Sequence, residues 1–175
     1  MNGHPGGEAH TLHMLKKAGL SAGASILDMG AGAGETLTLL RERGFVCRGI
    51  DREPRNEDVE KGDFLHLPYP AKSFDAVISQ CAFFVSGDAP GALWEARRVL
   101  KPGGKLLLSD VFFAPPGPLL EAAGFAVTYA EDMTAQWRAY YLEALWKEEA
   151  PCCTLPGKKS SYWLLIGERR DHGSV

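Results

Sequence analysis

The chain has 175 residues, of which 45% are hydrophobic and 23% are charged, and its formal net charge is −3. This length and composition predict one globular domain with a sizeable core. The chain has no lysine or arginine block, which argues against a nucleic-acid partner, and its apolar runs are too short to span a membrane. Four cysteines in no regular framework and an N-terminus without a signal pattern predict a reduced, cytoplasmic protein.

Strands and helices are predicted to alternate along most of the chain. A helix at 8–19 precedes strands at 25–29 and 46–51, with a second helix starting between these strands. Further strands are predicted at 76–79, 105–110, 125–130 and 162–168, and further helices at 89–100, 119–123 and 134–149. This alternation is typical of a parallel sheet with helices on both faces. On the helix at 134–149 we expect Tyr141 and Leu145 to lie in the core.

The segment DMGAGAG at residues 28–34 joins the first predicted strand to the helix that follows. Its alternating glycines leave room for a ligand to lie against the backbone near the helix start. The dinucleotide fingerprint would need a third small residue where Glu35 stands, so a pyrophosphate is disfavoured. Asp28, two residues before the first glycine, would repel a phosphate but suits an ammonium group.

Other motifs follow in a fixed order. The second strand ends in Asp51, at the place where Rossmann-like folds carry an acid that accepts hydrogen bonds from ribose hydroxyls. Next come GDF at 62–64, LPYP at 67–70, SFDAVIS at 73–79 and RVLKPGGKLLLSD at 98–110. Asp75 is expected to support structure at the start of its strand, because aspartate is common at such turns.

Over residues 20–130 the ordered series resembles the class I S-adenosylmethionine-dependent methyltransferases, in particular the quinone-biosynthesis and arsenite-type group. The resemblance implies one α/β domain with a Rossmann-like, seven-stranded, mostly parallel sheet of strand order 3-2-1-4-5-7-6 and a reversed final strand. Residues 1–19 would form an N-terminal segment and helix, 20–130 the cofactor-binding core, 131–161 a helical cap and 162–168 the last strand. The implied cofactor is S-adenosylmethionine.

The resemblance also implies a set of cofactor-binding residues. Asp28 would lie near the methionine end of the cofactor, Asp51 would bind both ribose hydroxyls, and Asp63 would accept from the adenine amino group. Ser79 would offer its backbone carbonyl to the methionine ammonium. The full implied set is Asp28, Gly30, Ala31, Gly32, Gly34, Asp51, Arg52, Asp63, Phe64 and Ser79.

One segment departs from the family pattern. Family members usually fit a helix and a third strand between the acids that correspond to Asp51 and Asp63. The segment here is too short and too charged for both, so we expect a loop or a single turn and then a short strand around 59–61. This shortening affects one wall of the adenosine pocket.

Candidates for catalysis and substrate binding are less specific. Methyl transfer needs alignment more than acid–base chemistry, and a base is needed only if the acceptor loses a proton. His10 and His13 are weak base candidates because the family's first helix packs near the cofactor mouth. Candidate acceptor-binding residues are Phe83, Phe84, Trp137 and Tyr140. No metal site is expected from ligand spacing.

Several functions stay open at this stage. A small-molecule methyltransferase is favoured, and a non-catalytic cofactor-binding module is the alternative from another class. A metalloid methyltransferase would use thiolates such as Cys81, with Cys152 and Cys153 on a covering loop, although free cysteines are more often buried hydrophobes. A nicotinamide oxidoreductase is disfavoured by Glu35. Exposed aromatic side chains would permit a dimer without requiring one.

Overall fold

The computed structural model describes residues 4–147, 157 and 159–170. Its strands are β1 (Ser25–Met29), β2 (Val46–Asp51), β3 (Glu60–Lys61), β4 (Phe74–Gln80), β5 (Leu100–Phe112), β6 (Phe125–Asp132) and β7 (Ser161–Arg169). Its helices are α1 (Gly7–Ala18), α2 (Glu35–Glu42), α3 (Phe83–Ser86), α4 (Ala89–Val99), α5 (Gly117–Ala122) and α6 (Thr134–Trp146). None of the helices in this described part of the chain is long and apolar enough to cross a membrane.

The strands form one sheet in the order β3-β2-β1-β4-β5-β7-β6. The pairs from β3 to β5 are parallel, and β7 runs antiparallel to both β5 and β6. The predicted strand order and reversed last strand are therefore confirmed. In such a sheet the carboxyl ends of β1, β2, β4 and β5 lie along one edge, where ligands of open α/β folds bind.

The central strands are buried on both faces, as parallel strands covered by helices must be. Leu27 and Val77 pack into a core cluster on one face of the sheet, and their neighbours Ile26 and Ile78 pack into a cluster on the other. This two-residue alternation assigns successive side chains to opposite layers. The polar residues that follow each strand therefore lie at the edge of the sheet, between the two layers.

The connection from β2 to β3 is as short as the sequence predicts. Its two-residue strand pairs with the end of β2, and no helix lies between the two strands. The connection packs against the glycine-rich segment instead. The Arg55 amide donates to the Gly32 carbonyl at 3.0 Å, and the Asn56 side-chain amide donates to the Ala33 carbonyl at 3.1 Å. The shortened segment therefore supports the loop that a helix would otherwise flank.

Some predicted boundaries shift. β5 begins at Leu100, which pairs with Phe74 before a register shift resumes the pairing at Lys105. The short helix α3 was not predicted, and α6 ends at Trp146 with Lys147 as its cap, earlier than the predicted residue 149. Residues 148–156 and 158 of the predicted cap lie outside the described residues.

Helix α6 buries one narrow stripe. Trp137, Tyr141 and Ala144 are each at most 2% exposed, which confirms the core position of Tyr141. Leu145 is 61% exposed, so its predicted core position is wrong. Eight residues of helix place it about 80° around the axis from Trp137, which takes it off the buried stripe.

Candidate active site

The glycine-rich segment forms a tight turn at the end of β1. Gly30 has a φ of 93° and Gly32 a φ of 51°, in the left-handed region that favours glycine. A Cβ on Gly30 would lie 2.4 Å from the Cβ of Ala82, so the loop after β4 packs directly on the turn. The amides of Gly30 and Ala31 donate to the Ile50 carbonyl at 2.9 and 3.1 Å. These bonds fix the turn to the end of β2.

Asp51 holds the same turn through its side chain. Its Oδ2 accepts a hydrogen bond from the Gly32 amide at 2.9 Å, and its Oδ1 accepts one from the Glu53 amide at 2.9 Å. The carboxylate therefore has a fixed orientation at the sheet edge. Each oxygen has a second lone pair with which it can accept a hydroxyl hydrogen bond.

A cavity of about 290 Å³ opens beside this carboxylate. Five of the predicted cofactor-binding residues line it, namely Gly30, Gly32, Asp51, Arg52 and Phe64. Cys81 also lines it, together with residues that no sequence pattern indicated, namely Arg55, Gln80, Ala82, Val85 and Ser86. The residues that line this cavity fit a nucleoside, because a carboxylate for the ribose and an aromatic ring for the base share it.

A narrower cavity of about 60 Å³ continues from the glycine turn to Asp28, and Ala31, Gln80 and His4 also line it. Asp28 is only 4% exposed. Burial, and to a smaller extent the nearby Asp51 carboxylate, raise the pKa of Asp28 to about 7. A buried carboxyl of this kind gains stability from a nearby cation. The geometry therefore suits the ammonium group of an amino acid.

Asp63 pairs with Arg52, which lines the nucleoside cavity, although Asp63 itself is not among the residues that line it. Arg52 Nη2 donates to Asp63 Oδ2 at 2.8 Å, and the Leu65 amide donates to Asp63 Oδ1 at 2.9 Å. Phe64, 8% exposed, packs with its ring centroid 5.7 Å from that of Phe83. The acid thus has a defined position despite the short connection before it, and its contact with adenine stays a prediction.

Two predicted site residues serve a structural purpose, Ser79 through its hydroxyl and Gly34 through its backbone. The Ser79 hydroxyl is fully buried and donates to the Met29 carbonyl at 2.7 Å, which joins the ends of β4 and β1. Gly34 is the N-cap of α2. The backbone carbonyl of Ser79 stays the predicted ammonium ligand.

Asp75 supports the opposite end of β4, as predicted. Its carboxylate accepts from the Ser25 amide and hydroxyl and pairs with Lys101 at 2.7 Å. The hydrogen bonds from Lys101 and Ser25 lower the pKa of Asp75 to about 2.

Asp110, near the end of β5, is a buried acid that no sequence motif indicated. Burial raises its pKa to about 6. Its carboxylate accepts hydrogen bonds from the Val111 amide at 2.7 Å and the Phe84 amide at 3.1 Å. It thereby fixes the turn that carries Cys81, whose φ is 57°. The signal that could have indicated Asp110 is its position as the last residue of the predicted strand 105–110.

A second cavity, of about 330 Å³, lies between α1, α6 and the ends of β6 and β7. His10 and His13 line it, as do Glu131, Trp137 and Tyr162. His10 Nε2 lies 2.7 Å from the Ser109 hydroxyl, and burial lowers the pKa of His10 to about 4. His10 is therefore neutral at physiological pH.

His13 belongs to a different hydrogen-bonded group. Its Nε2 lies 2.8 Å from Glu131 Oε2, which also accepts from the Tyr129 hydroxyl at 2.6 Å. A histidine that donates through one ring nitrogen to a carboxylate keeps the other nitrogen as a proton acceptor. Of the two predicted base candidates, His13 thus has the arrangement of a base.

Of the predicted acceptor-binding residues, Trp137 lines the second cavity and stacks on Tyr162 with ring centroids 5.7 Å apart. Phe83 is 2% exposed and packs behind Phe64. Phe84 packs on Phe113, and Tyr140 meets Tyr141 edge to face. Trp137, Phe84 and Tyr140 thus share one hydrophobic cluster, whereas Phe83 belongs to the core cluster that contains Phe64.

The cysteines differ from expectation. Cys81 is disulfide-bonded, so the prediction of wholly reduced cysteines is wrong, and its sulfur is not the thiolate that the metalloid hypothesis needs. Cys47 is a free thiol. Cys152 and Cys153 lie outside the described residues. Within the described ranges, no three histidine, cysteine or acidic side chains cluster as a metal site requires.

Residues 27–108 match the family model described as a methyltransferase domain. The demethylmenaquinone methyltransferase of Tropheryma whipplei (strain Twist) is 34% identical over 110 residues, which cover 54% of this chain and 45% of the relative. The uncharacterized methyltransferase YodH of Bacillus subtilis (strain 168) is 31% identical over 132 residues, covering 67% of this chain and 56% of the relative. The chain spans about half the length of these curated relatives.

Solved structures show the same fold. Haemonchus contortus phosphoethanolamine N-methyltransferase 2, in complex with S-adenosyl-L-methionine, has a TM-score of 0.76 at 18% identity over 96% of this chain and 54% of that chain. The cyclase SpnF has a TM-score of 0.72 at 21% identity over 92% of this chain and 80% of that chain. Because a cyclase shares the fold, the fold alone does not decide the reaction. Residues 27–108 thus match a methyltransferase domain, and the strand order with its reversed last strand is that of the class I methyltransferase fold.

Proposed function

We propose that this chain transfers a methyl group from S-adenosylmethionine to a small-molecule acceptor by direct in-line displacement, releasing S-adenosylhomocysteine. The observation that carries the proposal is the fixed Asp51 carboxylate between the glycine turn and a cavity of about 290 Å³. The cofactor supplies an activated methyl group on its sulfonium. The chain then has to bind the cofactor and the acceptor, orient them in line, and exclude water.

In this proposal, three acids each bind a different part of the cofactor. Asp51 binds the ribose hydroxyls, and Asp63, held by Arg52, accepts from the adenine amino group. Asp28 stabilises the methionine ammonium, with the backbone carbonyl of Ser79 as its second partner. The support for this assignment is that Asp51 and Asp28 lie on either side of the same glycine turn. Phe64 packs beside the adenine ring.

The acceptor determines whether a base is used. For an acceptor that must lose a proton, His13 is the proposed base because Glu131 orients it and stabilises the imidazolium that forms. His10 is not the base in this proposal, because burial keeps its pKa near 4. Cys81 has no catalytic role here because it is disulfide-bonded.

The other parts of the proposal concern partners and location. A net charge of −3 without a basic block favours a small molecule over a nucleic acid as the acceptor. A cytoplasmic location and a dimeric state are kept as predictions. The name of the Tropheryma relative adds a demethylated quinone to the acceptors worth testing.

The proposal is tested by calorimetry with S-adenosylhomocysteine and with NADH. Wild-type protein is compared with Asp51→Ala and with the matched control Asp58→Ala, an exposed acid of the same connection that pairs with Arg41. We expect S-adenosylhomocysteine to bind and NADH not to bind. Asp51→Ala should weaken S-adenosylhomocysteine binding about 10- to 100-fold, because hydrogen bonds to a charged group are lost. Asp58→Ala should leave it unchanged.

The outcomes separate the alternatives. Binding of NADH without S-adenosylhomocysteine would overturn the proposal in favour of an oxidoreductase. Binding of S-adenosylhomocysteine with no methylated product from S-adenosylmethionine and a broad acceptor panel would favour the non-catalytic module. Equal weakening by both substitutions would show that Asp51 does not contact the ribose.

A further inference from the structure

The second cavity, between α1, α6 and β7, has a chemistry of its own. Its lining is mostly apolar and includes Pro5, Ala9 and Met133 as well as the stacked rings of Trp137 and Tyr162. Its volume of about 330 Å³ is within the range of small-ligand sites. Such a lining favours a flat apolar ligand, because burial of apolar surface drives binding.

One polar group in the wall has no partner. Nε1 of Trp137 is buried and has no hydrogen-bond partner among the described residues, and the Trp137 side chain is fully buried. A buried donor without an acceptor costs free energy, and a ligand oxygen that reaches Nε1 as the lining side chains adjust would remove that cost. Trp137 therefore indicates that the ligand carries a hydrogen-bond acceptor.

The charges around the cavity are already balanced. His10 is neutral because burial lowers its pKa to about 4. Oε2 of Glu131, the acid in the lining, is engaged by His13 at 2.8 Å and by the Tyr129 hydroxyl at 2.6 Å. A zwitterion or an inorganic ion would find no free counter-charge among the described residues of the lining, so its entry would carry a large desolvation cost. The cavity therefore favours a neutral ligand.

The two cavities adjoin. Cys81 lines the nucleoside cavity, Tyr162 lines the second cavity, and Cys81 Sγ lies 3.1 Å from the Tyr162 hydroxyl. A molecule in the second cavity is thus separated from the cofactor cavity by a single layer of side chains. This proximity is what an acceptor needs in order to meet the methyl group.

We propose that the second cavity is the acceptor site and that it takes a neutral, flat, largely apolar molecule whose oxygen accepts a hydrogen bond from Nε1 of Trp137. The assignment as acceptor site rests on the proposed function. The class of ligand rests on the cavity alone. This ligand class distinguishes the proposed acceptor site from that of an enzyme that methylates zwitterionic amino acids.

The test uses 2-naphthol as the probe, with naphthalene as the analogue that lacks oxygen and sarcosine as the zwitterion. Calorimetry is done on the whole protein with and without saturating S-adenosylhomocysteine. We expect 2-naphthol to bind in both conditions, more tightly than naphthalene, and sarcosine not to bind. In ¹⁵N-labelled protein, the indole N–H resonance of Trp137 should move with 2-naphthol and much less with naphthalene.

Two variants and a control locate the site. Trp137→Phe should weaken 2-naphthol binding about fivefold and leave naphthalene binding unchanged, since one hydrogen bond is lost. Trp94→Phe, at a tryptophan that is 61% exposed, is the matched control and should change neither. Ala9→Phe places a ring at the exposed rim of the cavity and should abolish 2-naphthol binding without affecting S-adenosylhomocysteine. This variant keeps the test valid if Trp137→Phe does not fold.

Displacement of 2-naphthol by S-adenosylhomocysteine would place the probe in the nucleoside cavity and overturn the proposal. Unchanged 2-naphthol affinity in both Trp137→Phe and Ala9→Phe would also overturn it, as would tighter binding of sarcosine. If the proposed function is wrong, the result differs: 2-naphthol still binds, but S-adenosylhomocysteine does not. That result would remove the acceptor role and leave the ligand class standing.

Discussion

Asp51 Oδ2 accepts a hydrogen bond from the Gly32 amide at 2.9 Å, so the acid at the end of β2 also shapes the turn at the end of β1. An asparagine can keep this bond through its amide oxygen, but its NH2 group cannot accept the second bond, from the Glu53 amide, and it carries no charge. We therefore expect Asp51→Asn to lose about 1 kcal/mol of free energy of unfolding, less than Asp51→Ala, which loses both acceptors. It should bind S-adenosylhomocysteine about tenfold more weakly, because ribose hydroxyls would lose a charged acceptor.

Differential scanning calorimetry and titration calorimetry measure the two effects of Asp51→Asn separately. Asp51→Ala is the comparison, and it should lose both stability and affinity because the Gly32 amide loses its acceptor. Wild-type affinity in Asp51→Asn would count against ribose binding by the carboxylate.

The substitution Gly30→Ala adds only one methyl group, but we expect it to disrupt the site strongly. The new Cβ would lie 2.4 Å from the Cβ of Ala82, and the φ of 93° is unfavourable for alanine. Gly23→Ala is the matched control, since its φ is 85° but nothing lies within 4 Å of the added Cβ. Urea unfolding should show a loss of about 1 kcal/mol for Gly23→Ala, from backbone strain alone.

Gly30→Ala should lose more free energy of unfolding than that, and it should also weaken S-adenosylhomocysteine binding. Equal losses in the two variants would mean that the Ala82 loop moves away at no cost, so that the close packing of loop and turn is not required.

Asp28 should couple cofactor binding to proton release. Its pKa is raised to about 7 by burial, so about half of the molecules carry a proton there at pH 7. An ammonium group nearby favours the ionised carboxylate and expels that proton. Titration calorimetry at pH 7 in buffers of different ionisation enthalpy should show release of up to about half a proton. The release should be absent in Asp28→Asn.

The same shift predicts a pH dependence of stability. Because the folded-state pKa of Asp28 lies above its ordinary value of 3.8, the folded state holds the proton more tightly between these values. Stability from this group is therefore lost as the pH rises towards 7. Asp28→Asn should raise the free energy of unfolding more at pH 8 than at pH 5. A constant difference would contradict the raised pKa.

The pKa shift of His10 is opposite in sign to that of Asp28, so its effect on the pH dependence of stability is opposite too. Burial lowers its pKa from 6.5 to about 4, so the unfolded state binds the proton more tightly between these values. Stability should therefore fall as the pH drops from about 6.5 towards 4. His10→Gln, which keeps a partner for Ser109, should reduce this acid sensitivity. His66→Gln, at a side chain that is 86% exposed, should not. Thermal unfolding over this pH range is the measurement, and parallel curves for all three proteins would contradict it.

The sequence predicts the sheet well because alternating buried residues and glycine turns are local signals. It also predicts Asp28 and Asp51 as site residues, because each stands at a fixed offset from the end of a strand. Arg55 and Gln80 were missed, although both line the nucleoside cavity. Arg55 reaches it only because the short connection packs on the glycine turn, which no local pattern encodes.

The environments of Asp110 and Leu145 also could not be predicted from local sequence patterns. The partner of Asp110, the Phe84 amide, is 26 residues away in sequence, so its capping contact depends on how β4 and β5 align. Leu145 fits the apolar pattern of α6, but the width of the stripe that α6 buries is set by the strands it meets. Trp137 was singled out as an acceptor residue, and only the structure adds that its indole nitrogen has no partner among the described residues.

The position of β7 has a consequence for biosynthesis. This strand lies between β5 and β6 and supplies hydrogen bonds to both, although it follows them in the chain. During translation β6 therefore has no neighbour in the sheet until residues 161–169 have left the ribosome. Such non-local pairing is slow and leaves strand edges exposed while it is incomplete. The nascent chain should depend on chaperone protection until its last strand arrives.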